Sequence, residues 1–105
     1  MPKATIQRKY YAGGSLAAVV HYRNEKKHGQ CKWWFRNGRV RAVGKFANGK
    51  FTGFWRWYRV GGGYLQHGSF ADGLPDGTWK RYKVNGRLLD VTTWQNGKKI
   101  NRKKY

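Results

Sequence analysis

The groups that most often carry acid–base, nucleophilic or metal chemistry are scarce in this chain of 105 residues. There are four carboxylates (Glu25, Asp72, Asp76, Asp90), three histidines (His21, His28, His67) and one cysteine, Cys31. Asp72 and Asp76 bracket the run "DGLPDG", where aspartate side chains commonly serve the backbone of turns. The histidines have no cysteine or carboxylate partner at metal-ligand spacing. Cys31 shares a repeat position with Gln7, Trp55 and Trp79, which marks it as a structural thiol rather than a nucleophile. No P-loop, G-x-S-x-G or dinucleotide fingerprint is present, and "GGG" at 61–63 reads as a turn. The expectation is a protein that is not an enzyme and holds no metal and no cofactor.

The opposite chemistry is abundant. Lys and Arg total 23 against 4 Asp and Glu, a formal net charge of +19, with a sequence pI near 10.7. Such a balance disfavours the compact state and attracts polyanions. Hydrophobic residues at 39% and aromatics at 17% are enough for a fold, so the charge does not imply disorder. A lone cysteine excludes an intramolecular disulfide and suits a reducing compartment. The start, "MPKATIQRKYY", has no apolar signal region and no run approaches a membrane span, so a cytoplasmic location is expected.

The elements that must position these charges are set by a 24-residue period. Blocks starting at Gly29, Gly53 and Gly77 align without insertion, and a looser copy starts at Thr5. The repeats therefore run 5–28, 29–52, 53–76 and 77–100 within a single domain, 1–105, with a basic tail at 98–105. The sixth column is aromatic (Tyr10, Trp34, Tyr58, Tyr82), as is the eighteenth (Tyr22, Phe46, Phe70, Trp94), and the twelfth is Leu16, Val40, Tyr64 and Leu88. These three columns are the expected core. "GG" or "NG" at columns nine and ten suits two-residue hairpin turns with positive φ, and "NE", "NG", "DG", "NG" at residues 24–25, 48–49, 72–73 and 96–97 mark a second turn per block. The short runs between are rich in aromatic and β-branched residues and broken by glycine. The pattern predicts an all-β chain of about eight antiparallel strands, with "KINRKKY" as a terminal strand or a frayed tail.

The stretches "GTWKRYKVNGRL", "GFWRWYRVGGGYL" and "GQCKWWFRNGRV", with the return segments "GKFANGKFTG" and "GSFADGLPDG", resemble MORN repeats, in particular the variant in YwqK-type antitoxin-like proteins. The resemblance spans 29–100 well and 5–28 loosely. It implies an elongated, twisted sheet of successive hairpins, non-catalytic, binding proteins, lipids or a cognate toxin. This chain is more basic than such proteins as a rule.

The fourth column is basic in every copy: Arg8, Lys32, Arg56 and Lys80. Two strands apart, these side chains would stand roughly 9 to 10 Å from one another on one face. They admit two uses. Long basic stems can cover aromatic rings while their heads stay in water, or the heads can meet successive phosphates while rings stack on bases. Further cations cluster at Arg36, Arg39, Arg41, Arg59, Arg81, Lys83 and Arg87, and in the tail at Lys98, Lys99 and Arg102. Too few acids exist to pair them. Trp34 is expected in the core, leaving Trp33, Phe35 and Trp57 as the aromatic contacts. The expected partner is nucleic acid, DNA or RNA, bound with low sequence specificity. An acidic protein is the alternative, and an anionic membrane surface the less favoured third. The oligomeric state is left open.

Overall fold

A computed structural model describes residues 3–105. The chain forms one nine-stranded sheet in which every strand pairs antiparallel with its neighbours in sequence, order β1-β2-β3-β4-β5-β6-β7-β8-β9. The strands are β1 (Ala4–Tyr10), β2 (Leu16–Arg23), β3 (Lys26–Trp34), β4 (Val40–Ala47), β5 (Lys50–Tyr58), β6 (Tyr64–Ala71), β7 (Leu74–Tyr82), β8 (Leu88–Gln95) and β9 (Lys98–Lys104). The basic tail is thus a ninth strand, paired with β8. The sheet is open and measures 45 × 35 × 13 Å. No helix among the described residues is long and apolar enough to cross a membrane.

The two turns of each block have different geometry. Residues 24–25, 48–49, 72–73 and 96–97 are the two-residue turns, with positive φ at both positions, as in Asn48 (50°) and Gly49 (83°). The turns expected to be the tight ones, at 13–14, 37–38, 61–62 and 85–86, lie within five-residue connections. At Phe35–Arg39, the Gly38 N–H donates to the Phe35 carbonyl and the Phe35 N–H to the Arg39 carbonyl. Gly38 has positive φ (88°) and Asn37 does not, so Asn37 is free to accept the Arg39 N–H on its Oδ1 at 2.9 Å. Gly29, Gly53 and Gly77, which open the blocks, also have positive φ and lie beside register shifts between β2 and β3, β4 and β5, and β6 and β7.

A single sheet has no second layer to bury its core, so it buries rings against its own backbone. Trp55 lies flat over Gly44 and Trp79 over Gly68, where an added Cβ would overlap the indole rings. Each indole N–H donates to a backbone carbonyl, Trp55 to Lys45 at 2.9 Å and Trp79 to Ser69 at 3.0 Å. Trp55 is 0% exposed. Around it pack Trp33, Phe46, Phe51 and Trp57 with ring centroids 4.8–5.6 Å from its own. Ala18, Val20, Cys31, Ala42 and Phe46 complete the cluster.

The core is therefore built on the third column and on one of the three expected columns. Of those, the eighteenth lies on the buried face: Phe46 belongs to the cluster, and Tyr22 and Phe70 pack against it. The sixth and twelfth pair with each other, as Tyr10↔Leu16, Trp34↔Val40, Tyr58↔Tyr64 and Tyr82↔Leu88, on the opposite face. Glycine decides the outcome, because Gly44 and Gly68 leave a ring-sized space on one face only. The expected places of the adjacent tryptophans are exchanged. Trp33 packs on the cluster, while Trp34 points to the other side, beneath the Lys32 ammonium at 5.3 Å from its ring centroid.

Candidate polyanion-binding face

Backbone pairing sets the fourth-column cations in one straight row. Successive partners are Arg8↔Val19, Val19↔Lys32, Lys32↔Val43, Val43↔Arg56, Arg56↔His67, His67↔Lys80, Lys80↔Val91 and Val91↔Lys103. Directly paired residues share a face, so the row crosses all nine strands on the side away from the tryptophan cluster. Cations alternate with valine, or with His67, and neighbouring cations stand about 9.5 Å apart. Arg8, Lys32 and Lys103 are exposed, and Arg56 and Lys80 are half-buried.

Lys103 adds a fifth cation that the column did not identify. Continuing the period from Lys80 leads to Lys104. The register shift between Thr93 and Trp94 is one residue, however, where the equivalent shifts between β2 and β3, β4 and β5, and β6 and β7 are two, so Lys103 stands opposite Val91. Such a one-residue displacement is set by tertiary pairing and has no mark in the composition of the tail.

Aromatic rings border this row. Tyr64 stacks on Tyr58 at 5.0 Å and on Tyr82 at 5.6 Å, and His67 meets Phe54, Tyr64 and Tyr82 at 5.0–5.4 Å. The His67 Nε2 is 2.8 Å from the Tyr82 hydroxyl. Burial, followed by the charges of Lys80 and Arg56, holds the His67 pKa below its ordinary value, so His67 is neutral at neutral pH. West of this cluster in strand order, Val19, Val43, Trp34 and Phe54 line a groove of about 560 Å³ with Lys32 and Arg56.

The remaining expected contacts divide. Arg39 donates its Nη1 to the Gly61 carbonyl at 2.8 Å, Arg59 its Nη2 to the Tyr82 carbonyl at 2.9 Å, and Asn37 its Nδ2 to the Val60 carbonyl at 3.0 Å. With Tyr11, whose hydroxyl donates to the Trp34 carbonyl at 2.6 Å, they clasp each long turn to the next. Arg36 lies over the Tyr11 ring and Arg41 over the Phe35 ring, while Lys83 and Arg87 close the last long turn. Lys98 sits beside the final two-residue turn, paired with Gln95, and Lys99 pairs with Trp94.

Arg81 and Arg102 are on the tryptophan side and are not free. Arg81 grips Asp90 bidentately, its Nε 3.0 Å from Oδ1, and Arg102 donates to Oδ2 from Nη2 at 2.8 Å and from Nε at 3.1 Å. Asp90 is buried at 1% exposure, and the Arg81 hydrogen bonds, with those of Arg102, lower its pKa to about 2 against the cost of burial. Trp33 and Trp57 also lie on the side opposite the ladder, packed against the core, so they cannot border a ligand resting on the row. Phe54, Tyr64 and Trp34 hold that position instead. Phe54, at 51% exposure, carried no repeat signal, whereas His67 is the polar exception in a column that otherwise holds Val19, Val43 and Val91.

Cys31 is buried, and loss of solvent pushes its thiol up to about 11, so it is protonated and unreactive at neutral pH. No group of three or more His, Cys, Asp or Glu among the described residues could hold a metal ion.

No family model and no curated protein matches the chain. One solved structure, a GtfA/B complex bound to UDP and GlcNAc, is similar at 13% identity and a TM-score of 0.43. The match covers 99% of this chain and 24% of that one. A likeness at that level carries no functional argument.

Proposed function

We propose that the protein is a non-enzymatic binder of nucleic acid, DNA or RNA, which it engages through the cationic row without strong sequence specificity. The observation that carries this reading is the unbroken line from Arg8 through Lys32, Arg56 and Lys80 to Lys103, on a face where no carboxylate pairs with it. Phosphate oxygens would meet the ammonium and guanidinium heads, and binding would release condensed counterions. The MORN-like repeat supplies the scaffold, because each added hairpin adds one rung at fixed spacing. Electrostatics of this kind position a polymer without reading its sequence.

The test is anisotropy of a labelled oligonucleotide at low salt. Arg56→Ala with Lys80→Ala should weaken binding at least tenfold with the fold intact. Lys9→Ala with Lys99→Ala, on the tryptophan side, should change it little. Equal losses from both pairs would count against a binding face. Capture of an acidic protein that survives nuclease and salt would favour a protein partner instead.

A further inference from the structure

The groove between Lys32 and Arg56 is built for more than a phosphate. Its floor is Val19 and Val43, the two valines of the row that flank Lys32, and Trp34 and Phe54 also line it. A volume of about 560 Å³ lies within the range of small-ligand sites. Lys45 joins Lys32 and Arg56 among the lining residues, and no carboxylate does. The site thus pairs apolar and aromatic walls with three cations, the complement of a ligand that is flat and aromatic at one end and anionic at the other.

Resting on the nucleic-acid reading above, we infer that the protein takes single-stranded rather than duplex nucleic acid, seating an unstacked base in this groove. The base lies on the valine floor against Trp34 or Phe54, and its flanking phosphates meet Lys32 and Arg56. A duplex keeps its base faces stacked inside and offers a flat sheet face its phosphates and groove edges but no ring to stack, so the apolar floor and both rings stay in water. A single strand can turn a base inward and use them, since stacking on aromatic side chains rewards any base. The alternation of cation and valine along the row repeats this pairing of phosphate contact and apolar floor beyond the groove.

The experiment compares three labelled ligands at one salt concentration: an oligothymidylate, an abasic deoxyribose-phosphate oligomer of equal length, and a duplex. The oligothymidylate should bind about tenfold or more tightly than the abasic oligomer. Phe54→Ala and Trp34→Ala should each remove most of that margin, lowering oligothymidylate affinity far more than abasic affinity. Phe54→Ala is the safer variant, because the ring is already half in water. Equal binding of the oligothymidylate and the abasic oligomer overturns the base seat and leaves the cationic face standing. A duplex bound as tightly as the single strand overturns the strand preference. If none of the three binds, the nucleic-acid reading fails and takes the base seat with it.

Discussion

The Trp55 indole lies flat on Gly44 of the preceding strand, donating its N–H to the carbonyl of the next residue, Lys45. Trp79 and Gly68 repeat the arrangement one block later. A ring laid on a glycine is how a sheet without a covering layer excludes water from a side chain as large as tryptophan. In the preceding block Val20 and Cys31 hold the equivalent places and face each other across β2 and β3. There the larger residue of the pair stands at the glycine position and the smaller one at the tryptophan position.

Gly44→Ala or Gly68→Ala should therefore destabilise the fold by about 3 kcal/mol, because the new methyl displaces a packed indole. Cys31→Trp alone should also destabilise it, through overlap with Val20. Adding Val20→Gly should recover part of that loss, and chemical denaturation of the two singles and the double would measure the coupling. Additive effects would show that the two positions do not share one space.

Asp90 joins β7, β8 and β9 through Arg81 and Arg102. Its pKa is lowered to about 2 in the folded chain, below the ordinary value of 3.8. A carboxylate depressed in this way contributes stability that is full above the unfolded pKa and is lost as pH falls through the folded one. Stability should therefore decline from about pH 4 to pH 2 by on the order of 2 kcal/mol. Asp90→Asn should flatten that decline, as read by urea midpoints across the range.

His67 is the one rung of the row that can change its charge near neutrality. Burial and the neighbouring Lys80 and Arg56 keep its folded pKa below 6.5, so the unfolded chain binds the extra proton first. Stability should fall as pH drops below about 6.5, down to the folded pKa, where the loss is complete. A bound polyanion neutralises Arg56 and Lys80, favours the imidazolium and tightens as pH falls through the same window. Affinity measured at pH 7.5 and pH 5.5 should rise more for the wild type than for His67→Gln. Equal rises would show that His67 does not contribute to the effect.

How much of this was legible in the sequence depends on whether a feature repeats. The gapless 24-residue period fixed the hairpin sheet, and the constant fourth column fixed four cations of the row, since equal spacing in an alternating meander returns a residue to the same face. The buried face was not legible. Trp33 and Trp34 are both aromatic, and the choice between them rests on Gly44 and Gly68, whose shared column holds Val20 and Thr92 in the outer copies. Asp90 occurs in one block alone, and its partners come from the strands on either side, so no local pattern announced it. Turn chemistry misled for a related reason. Asn-Gly fits a two-residue turn, but Asn37-Gly38 closes a longer one, with the Asn37 side chain capping the backbone.

The most direct test of the cationic row is the salt dependence of oligonucleotide binding. For a single strand, log K should fall against log salt with a slope near −3.5 if all five cations engage a phosphate, at roughly −0.7 per contact. Arg56→Ala with Lys80→Ala should make that slope shallower by about 1.4. An unchanged slope in the double variant, or binding insensitive to salt in the wild type, would contradict the account.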